Sequence, residues 1–422
     1  MAALTLTDAD AALLDGARGP GVQLAMRVVV RMAAVQDARS LILISGAHID
    51  SALYMGDATL AFMERLADGG ATVVVPTTCN VGGVDEGGWR RWAVPSEWAE
   101  RSRRQMAALE TMGCRPTWTC APYQVERRPA FGEQIAWGES NAIVFANSVL
   151  GARTERYPDM LDICAAVVGR VPAVGLHLDA PRRGTTVFDL SRLPVALQER
   201  SDFFPVLGHL IGSVVHGGVP VLIGVSSAPT EDDLKALGAA MASSGAVALF
   251  HIVGVTPEAP TLDRALHGVA ADETVMVSLE QLRRARADLS SETGETLDMV
   301  VLGSPHFSFD EFRRLALLLD GRARHRRTRL LVTTSRGVRA MAESAGLLAP
   351  LDRFGGEITV DTCILTSPML PDSVRTLMTN SAKYAYYSPG LLRRGVAFGS
   401  LADCVESAVA GRVVRDEGPW SE

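Results

Sequence analysis

The sequence predicts an α/β protein built on mainly parallel sheets, and three observations carry that prediction. First, SLILISGAHID, ALYMGDATLAFMERLADGG and ATVVVPTTCN read as strand, helix and strand, the unit that joins parallel strands through a helical crossover. Second, polar residues follow each apolar strand stretch: Ser45, Gly46, His48 and Asp50 in the first, then Thr77, Thr78, Cys79 and Asn80 in the second. The crevice beyond the carboxyl ends of parallel strands is where such sheets bind ligands. Third, 422 residues of which 47% are hydrophobic and 21% charged can bury a sizeable core, which excludes a disordered chain.

The elements follow in order. LTDADAALLDG is a helix with Thr7 as N-cap and Gly16 as its stop, and GVQLAMRVVVRMAAVQDA is a long amphipathic helix. After the β-α-β unit, WAERSRRQMAALETMG is a helix ending at Gly113. IAWGESNAIVFANSVLG is apolar with embedded amides and hydroxyls. Residues 172–180 and 219–226 are strand-like, TEDDLKALGAAMASSG is a helix capped by Thr230, and AVALFHIVGV is a strand. MVVLGSPHFSFDEFRRLALLLDGR reads as strand, turn and helix, RLLVTTS as a strand, EITVDTCILTSPML as strand and turn, and GVAFGSLADCVESAVAGR as the closing strand and helix. With no repeat and no low-complexity linker, boundaries near residues 220 and 320 divide the chain into 1–220, 221–320 and 321–422.

A net charge of −7 argues against a nucleic-acid or membrane-surface binder. The basic run from Gly321 to Arg329 reads as a solvated helix end or loop, with a subunit or anion contact as the alternative. The N-terminus lacks a basic segment followed by an apolar one, and no apolar stretch reaches the roughly 18–20 residues of a membrane span. A cytoplasmic protein with reduced thiols is expected.

Cys79, Cys120, Cys164 and Cys363 lie in four distant segments, PTTCN, TWTCAPY, MLDICAAVVG and VDTCILTSP. Thiolates are the ligands of iron–sulfur clusters, and three suffice where one iron stays open to substrate. If these thiols converge, the chain is an iron–sulfur or mononuclear-iron enzyme; if not, it is an α/β protein with buried thiols. Cys120 and Cys363, among Thr and Pro in turns, suit ligation best. Cys79 follows two threonines, Cys164 and Cys404 sit in helical apolar patterns that read as core, and Cys114 is ambiguous. His48 and His306 follow strand ends and are ligand-binding candidates, whereas His251 reads as a core histidine. G-x-S-x-G, a Walker loop and G-x-G-x-x-G are absent, which weakens hydrolase, phosphate-loop and dinucleotide readings. Lys383, among hydroxyls, amides and tyrosines in MTNSAKYAYYSPG, suits a carboxylate, as does Arg153 in SVLGARTERY; a snorkelling surface cation is the alternative for each.

Across nearly the whole chain, an ordered series of long motifs resembles the large catalytic subunit of the aconitase X family. The series includes ISGAHIDSALYMGD, VPTTCNVGGVD, TWTCAPY, GEQIAWGESNAIVFANSVLGARTERY, DICAAVVGRVPAVGLHLD, VLGSPHFSFDEFRRLA, VDTCILTSPM, MTNSAKYAYYSPG and FGSLADCVESAV. The resemblance implies an aconitase-like fold of stacked α/β/α domains around a central cleft. It also implies an iron–sulfur cluster ([2Fe-2S] or [4Fe-4S]) or a mononuclear iron. A separate small swivelling-domain subunit would close the site and bring a catalytic serine region. The implied reaction is dehydration, of cis-3-hydroxy-L-proline to 1-pyrroline-2-carboxylate or, alternatively, of phosphomevalonate; a repurposed homologue that binds without dehydrating, or a lyase or isomerase with structural iron, are the rivals. On this reading Cys120, Cys363 and Cys164 hold iron, with Cys79 as substitute for Cys164. Lys383 and Arg153 hold the carboxylate, and Ser45, His48, Thr78, Asn80, Glu139, Ser140, Asn141, Asn147 and Ser148 line the pocket. Ser367 and His306 are candidates for proton transfer. Met55 and Tyr386 stand where the family often has His, and Ala382 where it often has Gly; these departures bear on specificity.

Overall fold

The structure is a computed structural model that describes residues 4–92, 94–126, 128–226, 228–292 and 296–421. Its first five strands are β1 (Leu41–Leu43), β2 (Ala47–Ile49), β3 (Thr77–Cys79), β4 (Ala136–Trp137) and β5 (Arg170–Pro172). β1 and β5 pair antiparallel, while β3-β2-β4 form a parallel sheet. Four more strands, β6 (Thr186–Asp189), β7 (Pro220–Ile223), β8 (His251–Ile252) and β9 (Glu273–Met276), form a parallel sheet in the order β8-β7-β6-β9. The last five, β10 (Met299–Leu302), β11 (Arg329–Thr334), β12 (Glu357–Val360), β13 (Thr376–Thr379) and β14 (Gly395–Phe398), form a parallel sheet in the order β12-β11-β10-β13-β14. Residues 220 and 320, the expected boundaries, fall within the spans of the second and third parallel sheets.

The stretch SLILISGAHID is two strands rather than one. Leu41–Leu43 turns to pair with β5, the chain bends at Ser45 and Gly46, and Ala47–Ile49 enters the parallel sheet. Ser45 and Gly46 therefore precede β2, and only Asp50 follows it. β10 is buried on both faces, as a central parallel strand should be. Met299 and Val301 point into the largest core, while Val300 and Leu302 join Phe312, Leu330, Val332 and Cys404 in a second core on the opposite face. Thr7 and Thr230 cap their helices as expected, each in a reciprocal box with the acidic residue three positions on.

Topology decides where a site can form. In the last sheet β10 is central, with β11 and β12 on one side and β13 and β14 on the other, so the crossover direction reverses between β10 and β13. In the first parallel sheet β2 is central and the reversal lies between β2 and β4. Loops leaving strands at such reversals diverge and open a crevice. Elsewhere close packing depends on glycine. The helices Phe203–Val215 and Glu231–Gly245 approach so closely that a Cβ at Gly212 would stand 2.1 Å from Ser244 Oγ.

Candidate functional site

The loops after β2, β3 and β4 and those after β10, β12 and β13 supply one cluster of side chains. Asp50 follows β2, Asn80 follows β3, and Glu139, Ser140 and Asn141 follow β4. From the last sheet come His306, Thr362, Cys363, Lys383 and Tyr384, and the 119–120 segment adds Thr119 and Cys120. Lys383 Nζ donates to Glu139 Oε1 at 2.6 Å and to Ser140 Oγ at 3.3 Å, so one ion pair ties the two sheets. Glu139 Oε2 also caps the helix Ser140–Phe145, accepting from the Ala142 N–H at 2.8 Å. Asn141 Nδ2 donates to the Cys120 carbonyl at 3.1 Å and to the Tyr123 hydroxyl at 2.9 Å, and the His306 N–H donates to Cys120 Sγ at 3.1 Å. Cys363 Sγ lies 3.7 Å from the Tyr384 hydroxyl, which in turn meets Thr333 Oγ1 at 3.0 Å.

Asp50, Cys120, Ser140, Cys363 and Lys383 each keep some accessible surface among buried neighbours, so they form the floor of a cleft. Burial alone would lower the Lys383 pKa, but Glu139 and the two thiols outweigh it, and the ammonium stays charged. Burial and the fields of Glu139 and Asp162 push the Asp50 carboxyl up to about 7, against pulls from Lys383 and Asn80. Burial, helped by Glu139, holds the Cys120 thiol up at about 12, and burial also raises Cys363. Asp50 was passed over as a site residue although its strand-end position was legible. Asp162 was missed outright: it accepts from the backbone N–H groups of Asp50 and Ser51 and from Ser51 Oγ. Gly138 is required here, because a Cβ would stand 2.8 Å from Asp162 Oδ2 and 2.9 Å from Asp50 Cβ.

Other expected residues are placed elsewhere. Cys164 is fully buried in the core on the helix Leu161–Val168, and Cys79 is fully buried against Cys114; neither lines the cleft floor. Ser45, exposed ahead of β2, donates to Glu133 Oε1 at 2.5 Å, at the end of the strand opposite Asp50. His48 lies within β2, bonded to Thr78 Oγ1 at 2.8 Å, and burial lowers its pKa to about 3. Arg153 is taken up by Asp179 and the His177 carbonyl beside a separate cavity of about 710 Å³. Asn147 and Ser148 are tethers to the second sheet's segments: Asn147 Nδ2 donates to the Ala248 carbonyl at 3.0 Å, and Ser148 Oγ accepts from the Phe250 N–H at 2.9 Å. His306 is in the cluster, but both ring nitrogens are engaged, with Thr119 Oγ1 and with the Thr362 carbonyl, each at 3.1 Å. Its burial-lowered pKa of about 4 makes it a neutral strut rather than a free proton carrier. Ser367 is buried beside the Cys363 loop at a cavity of about 500 Å³. Met55 and Tyr386 are exposed, at 64% and 45%.

Among the described residues no three His, Cys, Asp or Glu side chains are grouped to hold a metal ion, so the pair Cys120 and Cys363 is what this cluster offers a metal-bearing group. Cys120 and Cys363 are thiols on the cleft floor within each other's field, and a bound cation supplies the opposite charge that deprotonates a coordinating thiol. Near them Asn80 Oδ1, Asn141 Oδ1, Thr362 Oγ1 and Ser367 Oγ are buried without a hydrogen-bond partner among the described residues. Buried polar atoms are ordinarily satisfied, so these four are open to water or to a polar ligand.

Sequence comparison matches residues 3–180 to the aconitase X first domain, 184–287 to the second and 297–410 to the third. The chain belongs to the aconitase X family. It is a hydro-lyase of that type. It is 48% identical to a cis-3-hydroxy-L-proline dehydratase of Pseudomonas aeruginosa over 96% of this chain and 70% of the relative. A protein of the same description from Hypocrea jecorina is 46% identical over 97% of this chain and 69% of the relative. The phosphomevalonate dehydratase large subunit of Methanothermobacter thermautotrophicus is 36% identical over 90% of this chain and 92% of the relative. Among solved structures, Thermococcus kodakaraensis aconitase X in its holo-form superposes with a TM-score of 0.86 at 32% identity, covering 96% of this chain and all of that one. Within this family fold, the cleft between the two sheet reversals is the candidate active site.

Proposed function

We propose that this chain is the large subunit of an iron-dependent dehydratase that converts cis-3-hydroxy-L-proline to 1-pyrroline-2-carboxylate. The observation that carries the reading is the convergence of Lys383, Glu139, Cys120 and Cys363 on one cleft floor, together with 48% and 46% identity to proteins described as dehydratases of that amino acid. Lys383 has a third N–H beyond those given to Glu139 and Ser140, and this N–H holds the substrate carboxylate. Its charge steadies the carboxylate as the proton leaves the adjacent carbon. Glu139 and Ser140 fix the ammonium in place, and Asn141 and His306 hold the Cys120 loop. Cys120 and Cys363 hold the iron group, whose contribution when bound is Lewis-acid polarisation of the leaving hydroxyl. Loss of the Cα proton and of the C3 hydroxyl as water forms the 2,3-double bond, and the resulting enamine tautomerises to the imine.

The relative from Methanothermobacter thermautotrophicus is described as a large subunit. On that basis we assign this chain a separate small subunit that closes the cleft and supplies the base. The reduced thiols suit a reducing compartment, so we assign the complex to the cytoplasm. Among the described residues no helix is long and apolar enough to cross a membrane. The test is anaerobic turnover of cis-3-hydroxy-L-proline by iron-loaded protein produced with its small subunit, following 1-pyrroline-2-carboxylate, with phosphomevalonate as the second substrate. Formation of the imine is expected. Consumption of phosphomevalonate alone, or of neither, would sink the assignment.

A further inference from the structure

The cleft floor carries an imbalance of charge. Three carboxyl groups, Asp50, Glu139 and Asp162, share the neighbourhood of one ammonium, Lys383, and Lys383 is committed to Glu139. Asp162 is spent on backbone N–H groups and on Ser51. Asp50 differs from both. Its Oδ1 accepts from Asn80 Nδ2, which orients the group, and its Oδ2 accepts no hydrogen bond from any described residue. Asp50 is partly exposed at the end of β2, facing the cleft, whereas Asp162 and Glu139 are buried.

We propose that Asp50 is a specificity-determining residue that receives the ring ammonium of an amino-acid substrate, its Oδ2 accepting the N–H while Lys383 takes the carboxylate. The inference rests on the dehydratase reading above and adds to it the group that tells an amino acid from a hydroxy acid. Secondary amino acids carry a charged nitrogen next to the carboxylate, so a carboxylate and an ammonium on one floor match the two ends of that zwitterion. Phosphorylated hydroxy acids offer only negative charge, which Asp50 repels. A cation seated at Asp50 also offsets the burial, and the neighbouring carboxylates, that otherwise hold this carboxyl up at about 7.

The test uses two ligands of matched shape that differ at one ring atom, L-proline and (S)-tetrahydrofuran-2-carboxylate. They are titrated by calorimetry at pH 8 into iron-loaded protein carrying its small subunit. Wild type is expected to prefer L-proline by about tenfold or more, and Asp50→Asn to lose most of that preference by weakening L-proline alone. Equal wild-type affinity for the two ligands overturns the proposal, as does a preference that survives in D50N or an equal weakening of both. Should D50N fail to fold, Asp50→Ser is read in the same titration, and the wild-type comparison stands by itself. Turnover of cis-3-hydroxy-L-proline by wild type separates the two readings. Lost turnover with an intact ammonium preference overturns the dehydratase assignment, and turnover without a preference overturns the role of Asp50.

Discussion

The thiols divide by environment. Cys120 and Cys363 sit in turns at the cleft with partial exposure, while Cys164 and Cys79 are wholly enclosed by core side chains. The neighbours in sequence already separated them, since Thr and Pro surround the first pair and Ile, Ala and Val surround Cys164. Replacing Cys120 or Cys363 by Ser is expected to abolish iron retention with little change in melting temperature. Cys164→Ser is expected to keep its iron yet lose about 1–3 kcal/mol of stability, because a hydroxyl would be buried without a partner. Iron content and thermal melting on the three variants check this; loss of iron in Cys164→Ser with the fold intact would make it a ligand. The histidines carried a weaker signal. His306 follows a strand and His48 lies within one, but sequence does not say whether ring nitrogens are already bonded. Both of His306 are, to a hydroxyl and a carbonyl, whereas His48 bonds Thr78 through Nδ1 and its Nε2 is buried without a partner among the described residues.

Local pattern located the helices well, because capping boxes and amphipathic spacing are short-range signals. It did not locate the break between β1 and β2. An apolar run interrupted only by Ser45 and Gly46 reads as one strand, and the split follows from a distant partner, β5, drawing the first half away. That break puts Ser45 on the wrong side of the sheet and Asp50 on the right one. Helix pairing depends equally on distant partners. Gly208 and Gly212 give the helix Phe203–Val215 a smooth face on which Glu231–Gly245 rests, with the Met241 carbonyl 2.9 Å from where a Cβ at Gly212 would lie. Gly212→Ala should cost about 1–3 kcal/mol as the helices are forced apart, read as a lower denaturation midpoint at unchanged slope. An unchanged midpoint would mean that this contact is looser than described. The basic run from Gly321 is an ordinary surface element: Arg322 pairs with Glu406, Arg329 pairs with Glu357, and Arg324 donates to backbone carbonyls.

Across the whole molecule, the active cleft and the pH response have one origin, burial of ionisable groups between sheets. Burial lowers His48 and His177 to about 3 and His306 to about 4, from an ordinary value of 6.5. The unfolded chain takes up protons at these sites as pH falls below 6.5 while the folded chain does not, so stability is full above that value and is lost toward pH 4. Each unit of depression corresponds to about 1.4 kcal/mol. Asp50 works in the other direction: its raised value near 7 means that folding takes up a proton there, a contribution present in acid and lost as pH rises through 7. Burial also lowers His209 and His251, while it raises Asp361 to about 6 and raises Asp162 and Glu311, which act with Asp50. The histidine part is isolated by His177→Gln: wild type should lose more melting temperature between pH 6.5 and 4 than the variant does, and an equal loss, measured by calorimetry, would contradict the buried neutral state of His177.

The sequence by itself determined the class of fold, the helix caps, the family and the identity of the segments that meet at the cleft, since each is written in local pattern or in an ordered run of motifs. The family resemblance named Lys383, Glu139, Cys120 and Cys363 among a longer list of site residues, while their local settings left a surface cation and buried thiols open as alternatives. Only the tertiary structure decided which of these candidates reach the floor. Arg153, Asn147 and Ser148 carry the same chemistry as true site residues, but Asp179, Ala248 and Phe250, each far along the chain or in another layer, take up their hydrogen bonds. Two parallel sheets with opposed reversals bring Asp50 and Lys383, 333 positions apart in numbering, into each other's field. A short-range pattern records what a side chain can do; which partner satisfies it is settled by long-range packing.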